Sequence, residues 1–157
     1  MLTLLKKNIT SIKNVRYNCG IAGIYNPSTK NSLVNKKLNF EKMLERTKHR
    51  GTDNTSYNIY NNAMIGINRL SIVDIESGNQ PLHNLENKVH IVGNGFIYNY
   101  ESIMDDLKNS GYNFQTHNDF QVVPYLYDKY GLNFVDHIEG MFSFLLLRAV
   151  HRQCLHS

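Results

Sequence analysis

Read by its apolar positions, the chain divides into short segments of two periods, with polar and glycine-rich runs between them. CGIAGIY at 19–25 is apolar and punctuated by glycine, which predicts a strand that approaches another backbone closely. Asn39 is placed to cap a helix whose Phe40, Met43 and Leu44 share one face, and HRGTDNT at 49–55 ends it. SYNIY at 56–60 and AMIGINRLSIV at 63–73 predict two strands joined by a tight turn through Asn61 and Asn62. KVHIVGNG at 88–95 predicts another strand, stopped by its glycines. From Ile97 to Ser110 the spacing turns helical, with Tyr100, Ile103, Met104 and Leu107 on one side and Gly111 as the stop. Asp119 then caps a helix in which Phe120, Val123, Leu126, Tyr127 and Tyr130 recur at helical spacing, and Gly131 ends it. Pro124 lies inside that pattern, and its missing N–H is expected to kink or loosen the first turn. GMFSFLLL at 140–147 predicts a last, buried strand. The order of elements implies a mixed α/β domain without internal repeats or low-complexity tracts.

Composition narrows this picture. A chain of 157 residues suits one domain with its own core, and 41% hydrophobic residues argue against disorder. No apolar run approaches the roughly 20 residues of a membrane-spanning helix, so no membrane association is expected. The formal charge of +4 is carried by residues 1–18, where Lys6, Lys7, Lys13 and Arg16 stand without an acid. The remaining chain balances 13 basic against 13 acidic side chains, which disfavours a nucleic-acid-binding module, since that needs a basic face on the folded part.

Residues 1–18, MLTLLKKNITSIKNVRYN, are basic, acid-free and mildly amphipathic. They read as an extension of no function, as a propeptide removed by cleavage, or as a targeting segment, the last weakened by the single arginine. Two cysteines, Cys19 and Cys154, make no disulfide framework and point to a reduced, cytoplasmic setting. The seven histidines show no metal-ligand spacing. His151 and His156 form only a loose cluster with Cys154, read as tail chemistry without function.

Seven segments carry a family pattern in order: CGIAGIY at 19–25, HRGTD at 49–53, RLSIVD at 69–74, GNQPL at 78–82, NGFIYNY at 94–100, THNDFQV at 116–122 and GMFSF at 140–144. Together they resemble the N-terminal, glutamine-hydrolysing half of asparagine synthetases, a class II amidotransferase domain. RLSIVD followed by GNQP and NG-x-IYNY is the most specific part, and the resemblance covers residues 19–147. It implies an α+β fold of the N-terminal-nucleophile type, an αββα sandwich of two antiparallel sheets. It also implies Cys19 as nucleophile, with its free α-amine as the activating base. Asn94 and the backbone N–H of Gly95 would hold the oxyanion. Arg69 would hold the α-carboxylate of glutamine and Asp119 its α-ammonium. Glutamine is the implied substrate, no cofactor or metal is needed for its hydrolysis, and ATP and magnesium would belong to a synthetase domain. That domain would be a separate partner, with a homodimer as the other expected association.

The chain also departs from the pattern. Cys19 follows Asn18, so the base chemistry requires cleavage between them, because an amide nitrogen is not basic. Phe96 stands where the family places Glu, which leaves Asp119 alone to meet the ammonium. Thr52 replaces a proline of the HRGTD segment. Beyond residue 147, RAVHRQCLHS shows no strand pattern, so 148–157 reads as an unrelated tail on a domain incomplete at its C-terminus, with an open sheet edge. A catalytically inactive remnant is therefore the alternative to a glutaminase domain.

Overall fold

The computed structural model describes residues 2–6, 19–25, 33–60, 62–70, 79–114 and 116–148. Its strands are β1 (Leu2–Lys6), β2 (Gly20–Tyr25), β3 (Asn54–Ile59), β4 (Ala63–Arg69), β5 (Leu82–His83), β6 (Val89–Ile97) and β7 (Gly140–Arg148), and its helices are α1 (Leu33–Thr47), α2 (Tyr100–Asn109) and α3 (Val122–Tyr130). The strands form two antiparallel sheets, ordered β1-β7-β6-β5 and β2-β4-β3.

Side-chain alternation decides how these layers stack. In β4 every residue is buried. Ala63, Ile65 and Ile67 pack with Val92 of β6 and Leu145 and Leu147 of β7, which glues sheet to sheet. The opposite parity of β4 brings Met64 together with Ala22 of β2 and with Phe40 and Leu44 of α1. On the far side of the larger sheet, Ile91, Phe142, Phe144 and Leu146 pack with Ile103, Met104 and Leu107 of α2 and Val123 and Leu126 of α3. The result is α+β in four layers: helix, sheet, sheet, helices. A strand buried on both faces loses its polar alternation, which is why β4 is an almost continuous apolar run. No described helix is long and apolar enough to cross a membrane.

Several expected boundaries move. Helix α1 begins at Leu33, so Asn39 lies in its interior, and Met43 is exposed while Phe40 and Leu44 are buried. Strand β6 is not stopped by its glycines: Gly93 and Gly95 pair with Phe144 and Phe142, and the ladder continues to Ile97. Helix α2 accordingly starts only at Tyr100. Asp119 does not cap α3. A 3-10 turn, Asp119–Gln121, precedes that helix, and its capping side chain is Asn118, which accepts from the Phe120 N–H. Pro124 falls in the first turn of α3, which is entered directly from the 3-10 turn Asp119–Gln121. The sequence predicts neither β5 nor the 3-10 turns of Lys48–Arg50 and Gly131–His137.

The N-terminal extension also contributes structure. Residues 2–6 pair antiparallel with 143–147 of β7, from Leu2 opposite Leu147 to Lys6 opposite Ser143. The sheet edge expected to lie open along β7 is thus covered there by β1. Residues 7–18, 71–78 and 149–157 lie outside the described residues, and with them the loose His151, Cys154 and His156 cluster, most of RLSIVD and the 18–19 junction; Asn61 of the β3–β4 turn does too.

Candidate active site

Cys19 stands immediately before β2, half-buried and free of any disulfide. Its parity matches Ile21, and both pack into the cluster between the two sheets. Asn94 shares the parity of Val92 on β6 and therefore faces the same gap from the opposing sheet. The two meet directly: the Cys19 backbone N–H donates to Asn94 Oδ1 at 3.2 Å. Just past the end of β4, the Leu70 backbone N–H donates to Cys19 Sγ at 3.5 Å. A cavity of about 200 Å³ opens beside the thiol, lined by Cys19, Thr47, Arg50, Asn94 and Ser143 among others.

Gly95 follows Asn94 with φ +130°, and a Cβ there would fall 2.0 Å from the Met141 carbonyl oxygen. No side chain fits, so the backbone after Asn94 can press against β7 only as glycine. Phe96, of the same parity as Asn94, is 37% exposed.

Arg69 closes β4 and is buried. Its backbone carbonyl accepts from the Asp53 N–H at 3.0 Å, and in register it faces Asn54. Its neighbours on both sides reach the Cys19 end of β2: Asn68 pairs with Gly20, and Leu70 meets the thiol. Beneath them Asn68, fully buried, donates to the Leu44 carbonyl and to Thr47 Oγ1 and accepts from Thr55 Oγ1, which fixes the end of α1 to the sheet. Asp119 approaches β6 from the helical side. Its Oδ2 accepts from the Ile97 N–H at 2.8 Å and its Oδ1 from the Phe120 N–H at 3.0 Å. Burial pushes this carboxyl above the ordinary aspartate range, while the two N–H donors pull the other way.

The structure thus brings Cys19 and Asn94 together, with Gly95 adjacent, places Arg69 one residue from the thiol contact, and sets Asp119 against Ile97, three residues beyond Asn94 on β6. Arg69 and Asp119 are not among the described residues lining the cavity. Thr47, Arg50 and Ser143 do line it and were given no role on sequence grounds, although Arg50 and Ser143 lie inside the HRGTD and GMFSF segments. Among the described residues, no three His, Cys, Asp or Glu side chains gather as a metal site.

Comparison with known proteins gives the family. The glutamine amidotransferase domain family matches residues 18–156, and the chain belongs to that family. Within it, the resemblance is to asparagine synthetases. The chain is 37% identical over 129 residues to asparagine synthetase [glutamine-hydrolyzing] 2 of Oryza sativa subsp. japonica, covering 82% of this chain and 21% of that protein. It is 39% identical over 112 residues to the asparagine synthetase [glutamine-hydrolyzing] of Zea mays, covering 71% and 19%. To asparagine synthetase [glutamine-hydrolyzing] 3 of Arabidopsis thaliana it is 36% identical over 129 residues, covering 82% and 22%. It spans about a fifth of the length of these curated relatives, and the match supports an N-terminal glutamine amidotransferase domain of asparagine synthetase type.

Proposed function

We propose that this chain hydrolyses glutamine to glutamate and ammonia through a thioester on Cys19, as an N-terminal-nucleophile domain supplying ammonia for asparagine synthesis. The observation that carries the reading is the contact of Cys19 with Asn94 across the sheet gap, beside a cavity large enough for small polar groups. With the bond between Asn18 and Cys19 cut, the α-amine takes the thiol proton and the thiolate attacks the side-chain amide carbon of glutamine. With Oδ1 of Asn94 turned to the Cys19 nitrogen, its Nδ2 is the donor end left for the oxyanion, joined by the Gly95 N–H. The C–N bond then breaks, ammonia leaves with the proton held by the amine, and water hydrolyses the thioester to glutamate. Arg69 pairs with the substrate carboxylate and Asp119 with its ammonium. A cytoplasmic setting, and a synthetase partner holding ATP and magnesium, complete the reading.

The deciding experiment is the intact mass of protein purified from its native host, followed by a glutaminase assay on the same sample. A mass lacking residues 1–18 together with glutamate release supports the mechanism. An uncut chain that hydrolyses glutamine as fast as a cut one would sink the role given to the amine.

A second reading, a family member that no longer hydrolyses glutamine, rests on Phe96, whose exposed apolar ring stands where the resemblance calls for Glu. Phe96→Glu is expected to lower the KM for glutamine more than tenfold, since one charge-assisted hydrogen bond contributes about 1.5–3 kcal/mol. Steady-state kinetics of the variant check this; an unchanged KM would show that position 96 does not meet the ammonium.

A further inference from the structure

Strand β5 pairs with β6 at only two positions, Leu82 with Ile91 and His83 with His90. At Gly93 the ladder on that side is continued by a side chain. The Gly93 N–H donates to Gln80 Oε1 at 2.6 Å, and Gln80 Nε2 donates to the Gly93 carbonyl at 3.1 Å. A primary amide offers a donor and an acceptor in one plane, so it reproduces the pairing edge of a strand backbone. Gln80 is 8% exposed, and its own carbonyl accepts from Ser56 Oγ of the other sheet at 2.5 Å. The opposite face of Gly93 is closed as well: a Cβ there would lie 2.3 Å from the Phe120 ring.

Gly93 immediately precedes Asn94 and Gly95. The segment carrying them is therefore held at three places: by the Gln80 amide at Gly93, by β7 along its length, and by Asp119 Oδ2 at Ile97. We infer that Gln80 is a positioning residue for glutamine hydrolysis, its side-chain amide locking the backbone that aims Asn94 and Gly95 at the oxyanion. This inference rests on the function proposed above. It gives the GNQPL segment a chemical role that neither its composition nor its spacing discloses. Gln80 touches no reacting atom in this account; it acts through Gly93.

Two substitutions separate positioning from folding. Gln80→Met keeps the volume and removes both hydrogen bonds, whereas Gln80→Glu keeps an acceptor for the Gly93 N–H but sets an oxygen against the Gly93 carbonyl. In a preparation where the wild-type protein hydrolyses glutamine, both variants are expected to lose kcat by roughly 10- to 100-fold, with KM held within about twofold, because misplaced donors weaken the transition state rather than substrate binding. In Gln80→Met, amide hydrogen exchange at Gly93 and Asn94 should accelerate selectively, with the amides of β4 still protected as evidence of an intact fold. Wild-type kcat in both variants, or unaltered exchange at Gly93, would overturn the proposal. If the wild-type protein itself releases no glutamate, the function reading fails and the catalytic role of Gln80 fails with it. Exchange at Gly93 then shows separately whether the amide clamps the strand.

Discussion

Cys19→Ala is expected to abolish glutamine hydrolysis while leaving the fold intact. The thiol is half-buried just before β2 and packs against a cluster that includes Ile65, Ile67 and Val92, which survives without the sulfur. Removing one sulfur atom from such a site is a small volume change, so thermal stability should fall by no more than about 1 kcal/mol. Activity stands on a different footing. Without Sγ no thioester forms, and the remaining donors on Asn94 and Gly95 have no attacking atom to complement, so the loss should span several orders of magnitude. Cys19→Ser sharpens the point, because a hydroxyl fits the same space and can meet the Leu70 N–H but is a far weaker nucleophile at neutral pH. A glutamine analogue bearing an electrophilic ketone should label wild-type Cys19, seen as a mass increase, and neither variant. Glutamate release by Cys19→Ala at the wild-type rate would mean that hydrolysis occurs elsewhere on the chain.

Much of this arrangement can be read in the sequence, and the parts that cannot share a physical cause. The strand around Ile65 announces itself because both of its faces are buried and its residues are apolar almost without break. The face of α2 is legible because Ile103, Met104 and Leu107 recur at helical spacing, and all three are buried. The family motifs place Cys19 and Asn94, and the structure brings them within hydrogen-bond reach. What fails is whatever depends on a distant partner. Glycines 93 and 95 look like strand breakers, yet β7 supplies a ladder that carries the strand through them. Leu2–Lys6 reads as part of a basic tail because its partner is more than a hundred residues away. Gln80 is one polar residue in a loop until Gly93 is seen between its two amide atoms. Asp119 and Asn118 are equally good caps by type, and only the geometry assigns the cap to Asn118 and frees Asp119 to hold the Ile97 N–H.

That last assignment makes Asp119→Asn informative, since function and stability should move in opposite directions. An asparagine oxygen can still accept from the Ile97 N–H. The Phe120 N–H, which would lose Asp119 Oδ1, keeps Asn118 Oδ1 at 2.9 Å. Each N–H near the site therefore retains an acceptor, and the variant no longer has a charge to desolvate. The folded-state pKa of Asp119 is raised from 3.8, chiefly by burial. A raised pKa means that this group's contribution to stability is complete below the unfolded value and is lost as pH climbs through the folded one. The melting temperature of Asp119→Asn should accordingly equal or exceed that of wild type at neutral pH, and the difference should shrink as pH falls below the unfolded pKa. Glutamine binding should respond the other way, because an amide cannot pair with an ammonium as a carboxylate does. A loss of about 1.5–3 kcal/mol corresponds to a rise in KM of roughly 10- to 150-fold. In the wild-type protein the KM should likewise rise on acidification through the raised pKa, while that of the variant stays flat over the same range. Thermal melts and KM measured across pH on both proteins check the pair of effects, and a destabilised variant with an unchanged KM would make Asp119 a structural anchor alone.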